Sequence, residues 1–337
     1  MIAAKEAIQN STLSPKQLEA AGIIWGSAAG GALGYCANQV IEHYKNKAFN
    51  LSSYFLSNAI VSAAPANIAI ENKIYGINYT ASSACASSSQ AILNAYEEIS
   101  SGKLDVIISG GAEAPISEVG FKSFEALLIL SKNNENPKEA CRPFDYKRDC
   151  MVLGEGVAVL VLESLDHAKT RGAEIICEIL GGASMFDAFH LLAPDPKGIM
   201  MTETINSAMK SSRINKENID LINLHGTATI RGDKAELTAI SNTFGENLEK
   251  INFSAIKSLT GHTLGASGAI SSIAAALSIK NNFVPSSINF SKCDESFSKI
   301  NFNLKDPKKN NEIKVVLVNS FGFGGHNVAL VFKKFES

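Results

Sequence analysis

Short apolar runs alternate with longer stretches of helical spacing along this chain. Val106–Ser109, Val157–Leu162, Ile175–Leu180, Ile219–Leu224 and Val315–Val318 are continuous enough to predict strands buried on both faces. Between them, Ser88–Ser100, Thr202–Ser211, Lys234–Phe244 and Ala266–Ile279 are Ala-rich and periodic, which predicts helices. Such alternation predicts an α/β architecture with sheet covered on both faces. The polar stretches Asn133–Pro137 and Asp306–Asn311 read as surface loops. Two strands end alike. Val106-Ile107-Ile108-Ser109 runs into Gly110-Gly111, and the strand from Val315 runs to Gly322-Phe323-Gly324-Gly325, which suggests two halves of similar design.

Composition narrows the field. With 337 residues, 45% hydrophobic and 19% charged, the chain can bury a large core and is no disordered polymer. A net charge of -2 without a basic run argues against a nucleic-acid partner. No apolar stretch is long enough to predict a membrane span. The six cysteines are scattered without a CxxC pair, which argues against a zinc site and points to a reducing, cytoplasmic setting.

Four segments could carry chemistry. A strand-like run, Gly76–Thr80, leads through small residues to Cys85 and a helix over Gln90–Ser100. A thiol at a tight turn before a helix N-terminus has its thiolate favoured by the helix dipole; a small core cysteine fits the same pattern equally well. His225 follows the strand Ile219–Leu224, at the carboxyl end where α/β sheets form ligand sites, although a loop-bonded histidine is also common there. Lys257 and His262 flank a Gly-containing turn that opens a small-residue helix. In Asn319–Asn327 the glycines around Phe323 give a backbone that can move one large side chain and present an N–H to an oxyanion.

Together these segments resemble the β-ketoacyl-ACP synthases, the elongating type I/II branch of the thiolase superfamily. Ala84-Cys85-Ala86 resembles that family's nucleophile turn and His225-Gly226-Thr227-Ala228-Thr229 its HGT-x-T motif. Lys257 to Gly268 is similar to its K-S-x-T-G-H-x-x-G-A-x-G motif, and Asn319 to Asn327 to its N-S-F-G-F-G-G-x-N ending. Arg142-Pro143-Phe144-Asp145, Arg148-Asp149 and Gly154-Glu155-Gly156 match its middle segment. The resemblance implies a thiolase-like fold, layered αβαβα, with related halves over 1-174 and 175-337. It departs at Ser271, where the family carries a Glu that supports the polar network around the Lys. It departs also at His326, where the family has Thr, and at Leu128, in place of a basic residue at the carrier-protein entrance.

The implied activity is acyl transfer to Cys85, then decarboxylative Claisen condensation with malonyl-ACP, in fatty acid or polyketide/polyene synthesis. His225 and His262 would hold the malonyl thioester oxygen, and Lys257 would keep His262 neutral by like-charge repulsion. Backbone N–H groups of Cys85 and Phe323 would form the oxyanion hole, with Phe323 as a gate, and Ala29 and Phe124 would line the acyl pocket. The implied partners are an acyl carrier protein, malonyl and acyl thioesters, and a second subunit, identical or homologous. No cofactor or metal is implied. A non-catalytic subunit resembling the chain-length factors is the alternative; a thiolase is disfavoured because the last cysteine, Cys293, lies outside any C-terminal Gly motif. The family begins with a strand that the match lacks, since this chain opens at the following helix, Ala3–Asn10. The first strand of each half is expected inside its sheet, with partners on both sides, so Met1 is expected to be an internal start or the start of a truncated gene model.

Overall fold

The computed structural model describes residues 1–46, 51–293 and 312–336, together with Phe297, Ile300, Phe302, Lys308 and Lys309. Two compact units are assembled from non-contiguous segments. The first comprises Met1–Leu128, Leu153–Glu174 and Thr263–Ala269, and the second Ile129–Val152, Ile175–His262 and Ile270–Ser337.

In the first unit, β1 (Gly22–Gly26), β2 (Asn78–Ala81), β3 (Val106–Glu113) and β4 (Gly156–Glu163) form a sheet of order β2-β1-β3-β4. β1 runs parallel to β2 and β3, and β4 closes antiparallel on β3. Alternation along the strands sends Ile23, Trp25, Val106, Ile108 and Val159 to one face, where they pack with Ala4, Ile8 and Leu18 of the N-terminal helices. Ile24 and Ile107 point the other way, and the helix Ser87–Ser100 covers β1 and β3. The helix Pro15–Glu19 starts at a capping box: Ser14 accepts from the Gln17 amide while the Gln17 side chain accepts from the Ser14 amide.

The second unit contains β5 (Glu178–Phe186), β6 (Leu221–Asn223), β7 (Asn252–Ser254), β8 (Phe283–Val284), β9 (Lys308–Lys309), β10 (Val315–Gly322) and β11 (His326–Lys333). Its main sheet has the order β5-β11-β10-β6-β7, and β8 pairs with β9 separately. β11 lies antiparallel on β10, and β10, β6 and β7 run parallel. Its core is built on Phe144, Ile205, Ile222, Leu224, Ile240, Phe253 and Leu317.

The two sheets share one strand logic. Reading β4-β3-β1-β2 beside β11-β10-β6-β7 gives the same sequence of an antiparallel pair followed by parallel pairs. This corrects one expectation. Among the described residues the first strand of the second unit, β5, lies at the edge of its sheet, beyond β11, and not between partners.

The apolar runs at 106–109, 157–162, 219–224 and 315–318 coincide with β3, β4, β6 and β10. The run Ile175–Leu180 is shifted, since β5 begins at Glu178 and continues through Gly181-Gly182 to Phe186. β1 and β7 went unread because 3–5 residues show too little periodicity. Of the loop expected over Asp306–Asn311, Lys308 and Lys309 form β9, and the rest lies outside the described residues.

Candidate active site

In the first unit the approach to Cys85 is a strained turn. β2 ends at Ala81, Ala84 adopts a left-handed φ of 50°, and the helix Ser87–Ser100 begins two residues beyond Cys85. Ala84 is not a glycine, so this backbone costs about 1–2 kcal/mol and must be held by its surroundings. Ser87 supplies that hold. Its hydroxyl accepts from the Ser83 amide at 3.0 Å and donates to the Ala84 carbonyl at 2.6 Å. Gly26 at the end of β1 lets the helix approach: a Cβ there would meet the Ser88 Cα at 2.3 Å. The Cys85 residue is 7% exposed.

The segment after β1 is clamped by a carboxylate. Glu113, buried at the end of β3, accepts from Ser27 Oγ at 3.1 Å, Ala28 N at 2.7 Å, Ala29 N at 3.1 Å and Gly265 N at 3.2 Å. Burial pushes its pKa up, and the four donors pull against that. Half-buried Ala29 is thus fixed by its amide. Phe124, also half-buried, lies on the helix Glu118–Ala126, whose cap Ser117 donates to the Leu33 carbonyl. Leu128, just past that helix, is 76% exposed.

The second unit brings His225, His262 and Lys257 together. The His225 and His262 rings stand perpendicular at 89°, with centroids 5.5 Å apart. They are 6% and 2% exposed, and Lys257 is 2% exposed. Lys257 Nζ donates to the His225 carbonyl, and the His262 amide donates to the Val152 carbonyl at 2.7 Å. Both imidazole pKa values lie well below the usual value, first because of burial and second because of the Lys257 charge. The like-charge effect therefore acts on both rings, and desolvation exceeds it.

Two carboxylates hold the loop that carries His225. Glu236, on the helix Ile230–Phe244, accepts from the His225 and Gly226 amides, each at 2.8 Å. Burial pushes it up to about 7, against the pull of those amides and Lys257. Asp233, one turn earlier, accepts from the Phe144 amide at 2.6 Å and sits 3.5 Å from Arg148 Nε; burial pushes it to about 6. Ser271, at the family's Glu position, is buried, and its carbonyl accepts from Asn223 Nδ2 at 3.1 Å. Among the carboxylates near this loop, Glu236 is pulled down by the Lys257 charge.

Phe323 opens the short turn Phe323–Gly325 and is half-buried. Gly324 and Gly325 have φ of 83° and 94°. A Cβ on Gly325 would meet the Asp187 Cβ at 2.8 Å, so only glycine fits against the segment after β5. Among the described residues no group of three or more His, Cys, Asp or Glu is arranged to hold a metal, and no helix is long and apolar enough to cross a membrane.

Comparison with known proteins decides the family. Residues 1–168 match the family model described as Beta-ketoacyl synthase, N-terminal domain, and residues 176–291 match its C-terminal domain. The chain belongs to the β-ketoacyl synthase family. It is 35% identical over 343 residues to the chloroplastic 3-oxoacyl-acyl-carrier-protein synthase I of Arabidopsis thaliana, covering 100% of this chain and 71% of that one. It is 36% identical over 345 residues to the 3-oxoacyl-acyl-carrier-protein synthase 2 of Staphylococcus aureus, covering 100% and 81%. Among solved structures, a type II polyketide ketosynthase in complex with its acyl-carrier protein superposes with a TM-score of 0.92 at 30% identity, covering 99% of this chain and 83% of that one. The ishigamide ketosynthase/chain length factor gives 0.89 at 27% identity, covering 99% and 80%. The fold of this synthase is thiolase-like.

Sequence reasoning missed the acidic supports Glu113, Asp187, Asp233 and Glu236. The available signal was an acidic residue at an apolar strand end (Glu113) and an acidic pair one helical turn apart just after the His225 loop (Asp233 and Glu236). Glu113→Ala would leave three amides and a hydroxyl without their acceptor, a loss of about 3 kcal/mol or more, while Glu113→Gln keeps one acceptor oxygen and loses less. Urea unfolding midpoints should rank wild type above Glu113→Gln above Glu113→Ala; equal midpoints for the two variants would contradict the clamp.

Proposed function

We propose that this β-ketoacyl synthase is a 3-oxoacyl-ACP synthase that condenses malonyl-ACP with an acyl chain carried on Cys85. The observation that carries the reading is the buried pair His225 and His262, whose pKa values burial and the Lys257 charge push well below the ordinary imidazole value. The Cys85 thiolate attacks the acyl thioester carbonyl, and the carrier thiolate leaves. Malonyl-ACP then loses carbon dioxide, and the electron pair of the broken C–C bond becomes an enolate. The enolate carbon attacks the Cys85 thioester, the Cys85 thiolate leaves, and a 3-oxoacyl thioester results.

Neutral imidazoles suit the middle step. Each can donate one N–H to the thioester oxygen where enolate charge develops, contributing roughly 3 kcal/mol in the transition state. Cationic donors would also grip the carboxylate that must depart. We assign the backbone N–H groups of Cys85 and Phe323 to the oxyanion hole, Phe323 to the gate, and Ala29 and Phe124 to the acyl pocket, with halves over 1-174 and 175-337. The partners in this reading are an acyl carrier protein and a second subunit. A homologous second subunit is supported by neighbours described as ketosynthases with a chain length factor. None of the six cysteines forms a disulfide, which supports a cytoplasmic setting.

Intact-mass measurement after incubation with acyl-ACP should show one acyl adduct that disappears in Cys85→Ala. An adduct on another cysteine would overturn the nucleophile, and no adduct at all would favour a non-catalytic chain-length-factor role. His225→Ala and His262→Ala should each slow malonyl decarboxylation by about 10²–10³-fold while Cys85 still loads. Blocked loading with intact decarboxylation would reverse the assignment.

A further inference from the structure

We propose that His326 is a positioning residue that ties the Gly322–Gly325 turn to the segment Asp187–Ala193, so that the two loops loosen together. The proposal rests on the reading of Phe323 as the gate and adds a second element to it.

His326 is the first residue of β11 and the cross-strand partner of Phe186, the last residue of β5. Their rings meet edge to face, at 74° with centroids 5.1 Å apart. The other side of the imidazole lies against the turn: a Cβ on Gly324 would meet His326 Cδ2 at 3.4 Å and Nε2 at 3.5 Å. One ring therefore packs on the base of one loop and borders the space beside Gly324 in the other.

Hydrogen bonds join the same two segments. The Gly324 amide donates to the Leu191 carbonyl at 2.7 Å, and the Asp187 amide donates to the Gly325 carbonyl at 2.8 Å. Asn327 Nδ2 donates to Asp187 Oδ1 at 2.6 Å, and Asp187 Oδ2 accepts from the Asp195 amide at 3.3 Å. Within the loop, His190 Nδ1 accepts from the Leu192 and Ala193 amides at 3.0 and 3.2 Å. Phe323 cannot swing far without breaking the Gly324–Leu191 bond one residue away. The two glycines make the turn able to move, and the His326 ring bounds the space beside Gly324. A threonine there is too short to span from Gly324 to Phe186.

Hydrogen–deuterium exchange on the full chain tests this through the Gly324 and Asp187 amides. His326→Ala should raise exchange at both by a similar factor, on the order of fivefold, the size of one lost aromatic edge contact. His326→Thr should behave like His326→Ala, His326→Phe should hold both amides near wild type, and exchange in β6 should stay unchanged in all three. Unchanged exchange, or faster exchange at one amide alone, would overturn the latch, as would a His326→Phe as loose as His326→Ala. Condensation separates this from the gate reading. If both amides loosen while the ratio of acyl-Cys85 hydrolysis to condensation does not move, the latch stands and the gate assignment to Phe323 falls.

Discussion

The second unit is organised around one buried positive charge. Lys257 is removed from water beside two histidines, and an ammonium there is tolerated only with hydrogen bonding and a compensating charge. The His225 carbonyl supplies the acceptor, and the Lys257 charge pulls the buried Glu236 toward its ionised form. Glu236 is at the same time committed to the amides of His225 and Gly226. One loop is thereby held by its carbonyl on one side and by its amides on the other. The charge that needs this support is the charge that helps keep both imidazoles neutral, so placement and protonation state come from the same contacts.

In the first unit the equivalent constraint is steric. Ala84 takes a left-handed backbone and Ser87 locks it, while Gly26 lets the following helix come within a distance that a side chain would forbid. The small residues around Cys85 thus have a structural purpose besides leaving room for a thioester. The Glu113 clamp belongs to the same region and fixes the segment that contains Ala29.

How far the sequence revealed this follows from what each signal depends on. Strands β3, β4, β6 and β10 were legible because they are long or flanked by apolar residues, and the helices because their periods are regular. β1, bounded by Gly22 and Gly26, and β7 are too short to show a period. Cys85, His225, Lys257 and His262 stood out because reactive residue types sit inside small-residue turns. Glu236 and Asp233 did not, since an acidic residue on a helix reads as solvated until the tertiary structure buries it against the loop it serves. The edge position of β5 was invisible for a similar reason: strand order is set by pairing across the chain, and no local pattern encodes it.

In the proposed reaction both imidazoles are uncharged when the enolate forms. The most direct measurement is an NMR titration of the ring nitrogens in protein labelled at histidine, with His225 and His262 assigned by single substitution. Both rings should remain neutral as the pH falls through about 6.5, the ordinary imidazole value, and removing the charge in Lys257→Met should raise their pKa values only part of the way, because burial is the larger cause. Protonation of either ring at the ordinary value in the native enzyme would contradict the account.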